Sequence, residues 1–133
     1  MTTDTVKGTT EASRQGIRVI RRLMAINLGL VAIQAVTAGF SLSGYAQAAT
    51  VHAAVGLALQ AGALIQVVTA LVLWWRDRVP GWLASLSVGL FVIMFLQLGL
   101  GYRRSFWLHV PIGVGIFGAL LRQMSRLDTG IGE

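Results

Sequence analysis

Four apolar runs, separated only by short polar turns, decide what this chain can fold into. They cover residues 23–42, 51–75, 82–100 and 106–121, and histidine is the only ionisable residue type inside them. A helix rises about 1.5 Å per residue, so about 20 residues cross a hydrocarbon core of about 30 Å. Lipid offers the backbone no hydrogen bonds, so runs of this kind must be helical. No turn exceeds about ten residues, which leaves each helix antiparallel to the next. The expected fold is therefore all-α, an integral membrane up-down-up-down four-helix bundle. The charged fraction, 12%, is about half that of a soluble domain. The last run is the shortest and lies near the lower limit for crossing.

Three segments follow: a polar and basic lead at 1–22, the bundle at 23–121, and a polar tail at 122–133. Residues 1–13 are small, polar and Thr-rich, a composition expected to stay disordered. Ala46-Gln47-Ala48 has the form of a signal-peptide cleavage site, but the preceding apolar run exceeds the usual length, and a retained first span is expected. Cysteine is absent, which excludes disulfides, thiolate metal sites, iron–sulfur ligation and covalent haem attachment.

Charge sets the expected orientation. Lys7, Arg14, Arg18, Arg21 and Arg22 precede the first run, Arg76 and Arg78 lie in the middle turn, and Arg122 and Arg126 follow the last run. All three groups fall at one end of the bundle, assigned to the cytoplasm with both termini. Eleven basic residues against five acidic ones do not indicate nucleic acid, because no basic soluble domain carries them; the lipid bilayer surface is the expected partner. Ten arginines, one lysine and abundant Ala and Gly point to a bacterial cell membrane.

The two histidines are the chemical signal. His52-Ala53-Ala54-Val55-Gly56 and His109-Val110-Pro111-Ile112-Gly113 each open an apolar run, and in each a glycine follows the histidine by four residues. On a helix this places an imidazole over a bare patch of backbone, twice. The second and fourth spans run in the same direction, so both rings enter at similar depth near the outer face. Two neutral imidazoles facing each other suit the axial positions of one haem b iron, with Gly56 and Gly113 letting the ring lie against both helices. Arg103 and Arg104, on the same side just before His109, are then placed for the propionates. The plainer alternative leaves the histidines bonded to water or backbone and the arginines to lipid phosphate. Zinc or copper is disfavoured, because two histidines supply too few ligands. Asn27, Gln34, Gln60, Gln66 and Gln97 inside the runs are read as interhelical hydrogen-bonding groups.

With His52 and His109 on the second and fourth helices, the chain resembles one four-helix half of the haem A synthase family. Phe95-Leu96-Gln97-Leu98-Gly99-Leu100-Gly101 looks like that family's Gln/Gly-rich third-helix segment, and Leu108-His109-Val110-Pro111-Ile112-Gly113-Val114 is similar to segments of small actinobacterial four-helix membrane haem proteins. The resemblance covers most of residues 20–122. It implies haem ligation at His52 and His109 and, for a half-length relative, a homodimer. The family's glutamate one turn before a second-helix histidine is missing, with Ala48 and Ala49 there, and so is its outer-loop cysteine pair. The synthase reaction is therefore not implied.

Two function classes remain beside a cofactor-free subunit of a larger complex. One is single-electron transfer through one haem b per chain, with a quinone or respiratory-chain partner. The other is haem sensing, carrying or modification. No intramembrane carboxylate or lysine is placed for proton chemistry, so no catalytic acid or base is assigned.

Overall fold

The computed structural model of the chain describes residues 3–129, with side-chain surroundings from Glu11 to Leu127. It is all-helical: α1 (Thr3–Leu42), α2 (Ala46–Trp75), α3 (Gly81–Tyr102) and α4 (Phe106–Thr129). Three helical stretches, Glu11–Leu42, Ala46–Trp75 and Gly81–Tyr102, are long and apolar enough to cross a membrane. The apolar run of α4 from Phe106 to Leu121 is only about 24 Å long before Arg122 interrupts it.

The polar lead departs from expectation. Helix begins at Thr3, where residues 1–13 were expected to be disordered, and α1 runs unbroken into the first apolar run. Extending a helix already nucleated by an apolar segment adds one hydrogen bond per residue fixed, without the cost of a new nucleus. Gly16 is buried against the α2–α3 turn, where a Cβ would meet the Arg78 carbonyl at 3.1 Å, so this end of α1 has tertiary contacts. At the other terminus α4 continues past Arg122 to Thr129.

All three turns close in the same way. Tyr45 N–H donates to the Phe40 carbonyl, Arg78 to Leu73 and Ser105 to Leu100, each across five residues. This pattern needs a left-handed residue just before the donor. Gly44 (φ 93°), Asp77 (φ 54°) and Arg104 (φ 55°) take that place.

Each helix packs on two others: α1 on α2 and α4, and α3 on α2 and α4. Along the α1–α2 seam, Thr37 meets His52 and Asn27 meets Gln66, so the two helices run in opposite directions. The apolar interior divides into two clusters. Ile20, Met24, Ala70, Val79, Leu83, Ala84 and Leu127 form one. Val31, Ala63, Leu90, Met94, Ile116 and Leu120 form the other.

The buried positions obey a repeat. Ile20 and Leu83, Met24 and Ser87, Asn27 and Leu90, Val31 and Met94 are all buried, and each α1–α3 pair is separated by 63 residues. Ala63 and Leu120, Gln66 and Gln123, Ala70 and Leu127 are likewise buried α2–α4 pairs, separated by 57. The six-residue difference lies at the hairpin tips. The α3–α4 hairpin is three residues shorter in each arm than the α1–α2 hairpin, about 4.5 Å. The two hairpins are copies of one design with unequal tips.

Candidate functional site

The cavity at the tip end of the bundle has a volume of about 300 Å³ and is lined by all four helices. Its floor follows the repeat: Val31 with Met94, and Leu59 with Ile116. Its walls carry His52, Gly56, His109 and Gly113, with Gln34 and Gln97 beside them. Apolar walls with a few convergent polar groups are the usual make-up of a ligand site.

The two imidazoles meet in this cavity. Their ring centres are 6.0 Å apart and their planes cross at 66°. A metal–imidazole nitrogen bond is about 2 Å and the nitrogen lies about 1 Å from its ring centre, so a separation of this size would leave room for one metal held by both rings.

Hydrogen bonds fix which nitrogen of each ring is free. His109 Nδ1 donates to the Gln97 carbonyl at 2.9 Å. His52 Nδ1 donates to the Gln34 carbonyl at 3.2 Å, and the Thr37 hydroxyl lies at the same distance. Thr37 spends its own proton on the carbonyls of its helix, so its oxygen serves His52 as an acceptor. A carbonyl can only accept, and it keeps a second lone pair after its helical bond. Both Nδ1 atoms therefore carry the proton in the neutral rings. Each Nε2 keeps a lone pair, the arrangement typical of a metal-ligating histidine.

The sequence expectation for the two glycines needs refinement. Gly56 and Gly113 both line the cavity, but the space over each is shared with a carboxamide from the neighbouring helix. A Cβ on Gly56 would lie 2.8 Å from Gln34 Nε2, and one on Gly113 would lie 3.0 Å from Gln97 Nε2. The glycines thus make room for glutamine as well as for any ring. Gln97 Nε2 donates to the His109 carbonyl, bracing α3 against α4 beside the His109 ring. The Oε1 atoms of Gln34 and Gln97 and Nε2 of Gln60 are buried with no hydrogen-bond partner among the described residues.

The structure separates the two arginines. Arg104 lines the cavity mouth with Ser41, Tyr102 and Phe106; Arg103, its exposed neighbour, is not among the lining residues. Sequence reasoning also missed Gly101. A Cβ there would meet His109 Cε1 at 3.0 Å, so the ring rests on bare α3 backbone. No group of three or more His, Cys, Asp or Glu side chains comes together among the described residues. Comparison of the chain with protein-family models, with curated proteins and with solved structures finds no match.

Proposed function

We propose that this protein is a four-helix integral membrane protein that binds one haem b between His52 and His109 and serves single-electron transfer. The observation that carries the reading is the pair of imidazoles, 6.0 Å apart in one cavity, each with Nδ1 engaged by a backbone carbonyl. Bound there, the haem iron would supply a one-electron couple. The Gln34 and Gln97 carbonyls and Thr37 orient the two rings, and the apolar floor excludes water from the iron's surroundings. Arg104 at the mouth is the group for the carboxylates, with Arg103 left to lipid phosphate or solvent.

In the bilayer α4 completes the bundle as a short fourth span, and the arginine-rich end faces the cytoplasm of a bacterial cell. The cavity then opens toward the outer face, where a quinone or respiratory partner exchanges the electron. Both histidines come from one chain, so the homodimer implied by a half-length relative would add no ligand.

An absorption spectrum tests the proposal. The purified protein, supplied with haem, is expected to show a Soret band that shifts on dithionite reduction and is abolished or altered in His52→Ala and His109→Ala. A haem-supplied protein with no such band, or a band indifferent to both substitutions, overturns it. Reduction by a quinol distinguishes electron transfer from haem carrying, which instead predicts ready loss of haem to an acceptor protein.

A further inference from the structure

A second polar constellation lies deeper, between the two apolar clusters, and the haem reading makes no use of it. Each helix contributes one residue: Asn27, Gln66, Ser87 and Gln123, exposed by only 1%, 3%, 1% and 1%. Each sits between one residue of either cluster on its own helix, as Gln123 does between Leu120 and Leu127. Gln66 and Gln123 each follow their helix's histidine by 14 residues, close to four full turns, so they form one layer on the histidine-bearing faces.

Three of the four are joined. Asn27 Nδ2 donates to Gln66 Oε1 at 2.9 Å, Gln66 Nε2 to Ser87 Oγ at 3.3 Å, and Ser87 Oγ to the Leu83 carbonyl at 2.9 Å. Gln123 stands outside this chain, and both its Nε2 and its Oε1 are buried without a partner among the described residues. The repeat explains why. Gln66 is satisfied by Asn27 of its own hairpin, but the position matching Asn27 in the second hairpin is Leu90. The counterpart glutamine has kept its amide and lost that donor, and the position matching Gln66's acceptor Ser87 is Met24. Acceptor capacity remains in the same layer: Asn27 Oδ1, set against Gly62, has no partner among the described residues, and Gln66 Oε1 and Ser87 Oγ each retain a lone pair.

A carboxamide left unpaired in an apolar interior is costly, whereas an ordered water bonded to two or more polar groups costs little to hold. Native interiors place water at sites of this kind. We infer that a water molecule is bound in this layer, held by the Gln123 carboxamide and by the free acceptors of the Asn27–Gln66–Ser87 chain, so that the polar layer closes across all four helices. The site is distinct from the histidine cavity and does not depend on haem.

The test is a high-resolution structure of the full chain in lipid nanodiscs, together with Gln123→Leu and the size-matched Gln123→Met. Expected is a density peak within hydrogen-bond distance of the Gln123 carboxamide and of Asn27, Gln66 or Ser87, absent from whichever variants fold. Direct bonding of Gln123 to protein with no peak, or a peak retained in a variant, overturns the inference. So does a peak present only in sodium-containing buffer, which would mark a cation instead.

Discussion

His109 and Gln97 are bonded to each other twice. The ring's Nδ1 donates to the Gln97 backbone carbonyl at 2.9 Å, and the Gln97 carboxamide donates back to the His109 carbonyl. One residue of α3 thereby fixes both the ring and the backbone of His109 on α4. The first hairpin has no equivalent double bond. There the ring is held by the Gln34 carbonyl and the Thr37 hydroxyl, each at 3.2 Å.

Gln97→Leu keeps the backbone carbonyl and removes the return bond. The ring's tautomer survives, but α4 is less firmly placed against α3. Groups supporting a metal ligand are worth about 10-fold to 100-fold in affinity, and the lower end applies because the ring's own bond remains. Haem titration followed at the Soret band is expected to show about a tenfold weaker complex with the peak position kept. Unchanged affinity would remove Gln97 from the site.

Gly101 makes a sharper case. Its missing Cβ leaves the His109 ring only 3.0 Å from where that atom would stand, whereas a Cβ on Gly99 would meet nothing within 4 Å. Gly101→Val is expected to push the ring off the Gln97 carbonyl and abolish bis-histidine ligation. Gly99→Val should bind haem like the wild type. The haem-to-protein ratio of the two purified variants decides the matter, and equal ratios would contradict the geometry.

At Arg104, backbone and side chain oppose each other. A non-glycine residue in the left-handed region costs about 1–2 kcal/mol, and the equivalent turn position in the first hairpin is Gly44. Arg104→Gly should therefore raise stability to denaturant by about 1 kcal/mol while weakening haem binding, since the guanidinium at the cavity mouth is lost. Arg103→Gln, one residue away but not lining the cavity, should change neither. Weaker binding in both variants alike would mean that general positive charge, not Arg104, attracts the ligand.

Much of this was legible in the sequence, and the failures have physical causes. Charge-free runs announced the helices, because lipid-compatible stretches tolerate no alternative backbone. The His-to-Gly spacing of four picked out both cavity histidines, since the helical period alone puts those residues on one face. Gln34 and Gln97 were visible as polar residues within the runs, but their equivalence was not. The α1–α3 separation is 63 residues and the α2–α4 separation 57, so no single offset superimposes both helices of the repeat. Gly101 was hidden because its role is to receive a ring from another helix, which no local pattern encodes. The helix from Thr3 was misjudged because its local composition is polar and its order comes from continuity with the apolar run.

The polar layer gives the last prediction, and it separates stability from ligand binding. Gln66 links Asn27 on α1 to Ser87 on α3, so Gln66→Leu breaks two interhelical bonds and leaves the buried Asn27 amide without its acceptor. Such bonds in membrane helices are worth about 1 kcal/mol each, because the unfolded helices also find partners in the bilayer. The layer lies about 21 Å along α2 from His52, well below the cavity floor. Reversible unfolding in mixed micelles is expected to show a loss of about 1–2 kcal/mol, with the Soret band and haem affinity unchanged. A large loss of affinity with little change in stability would show that the layer sets the histidines' register instead of holding the helices together.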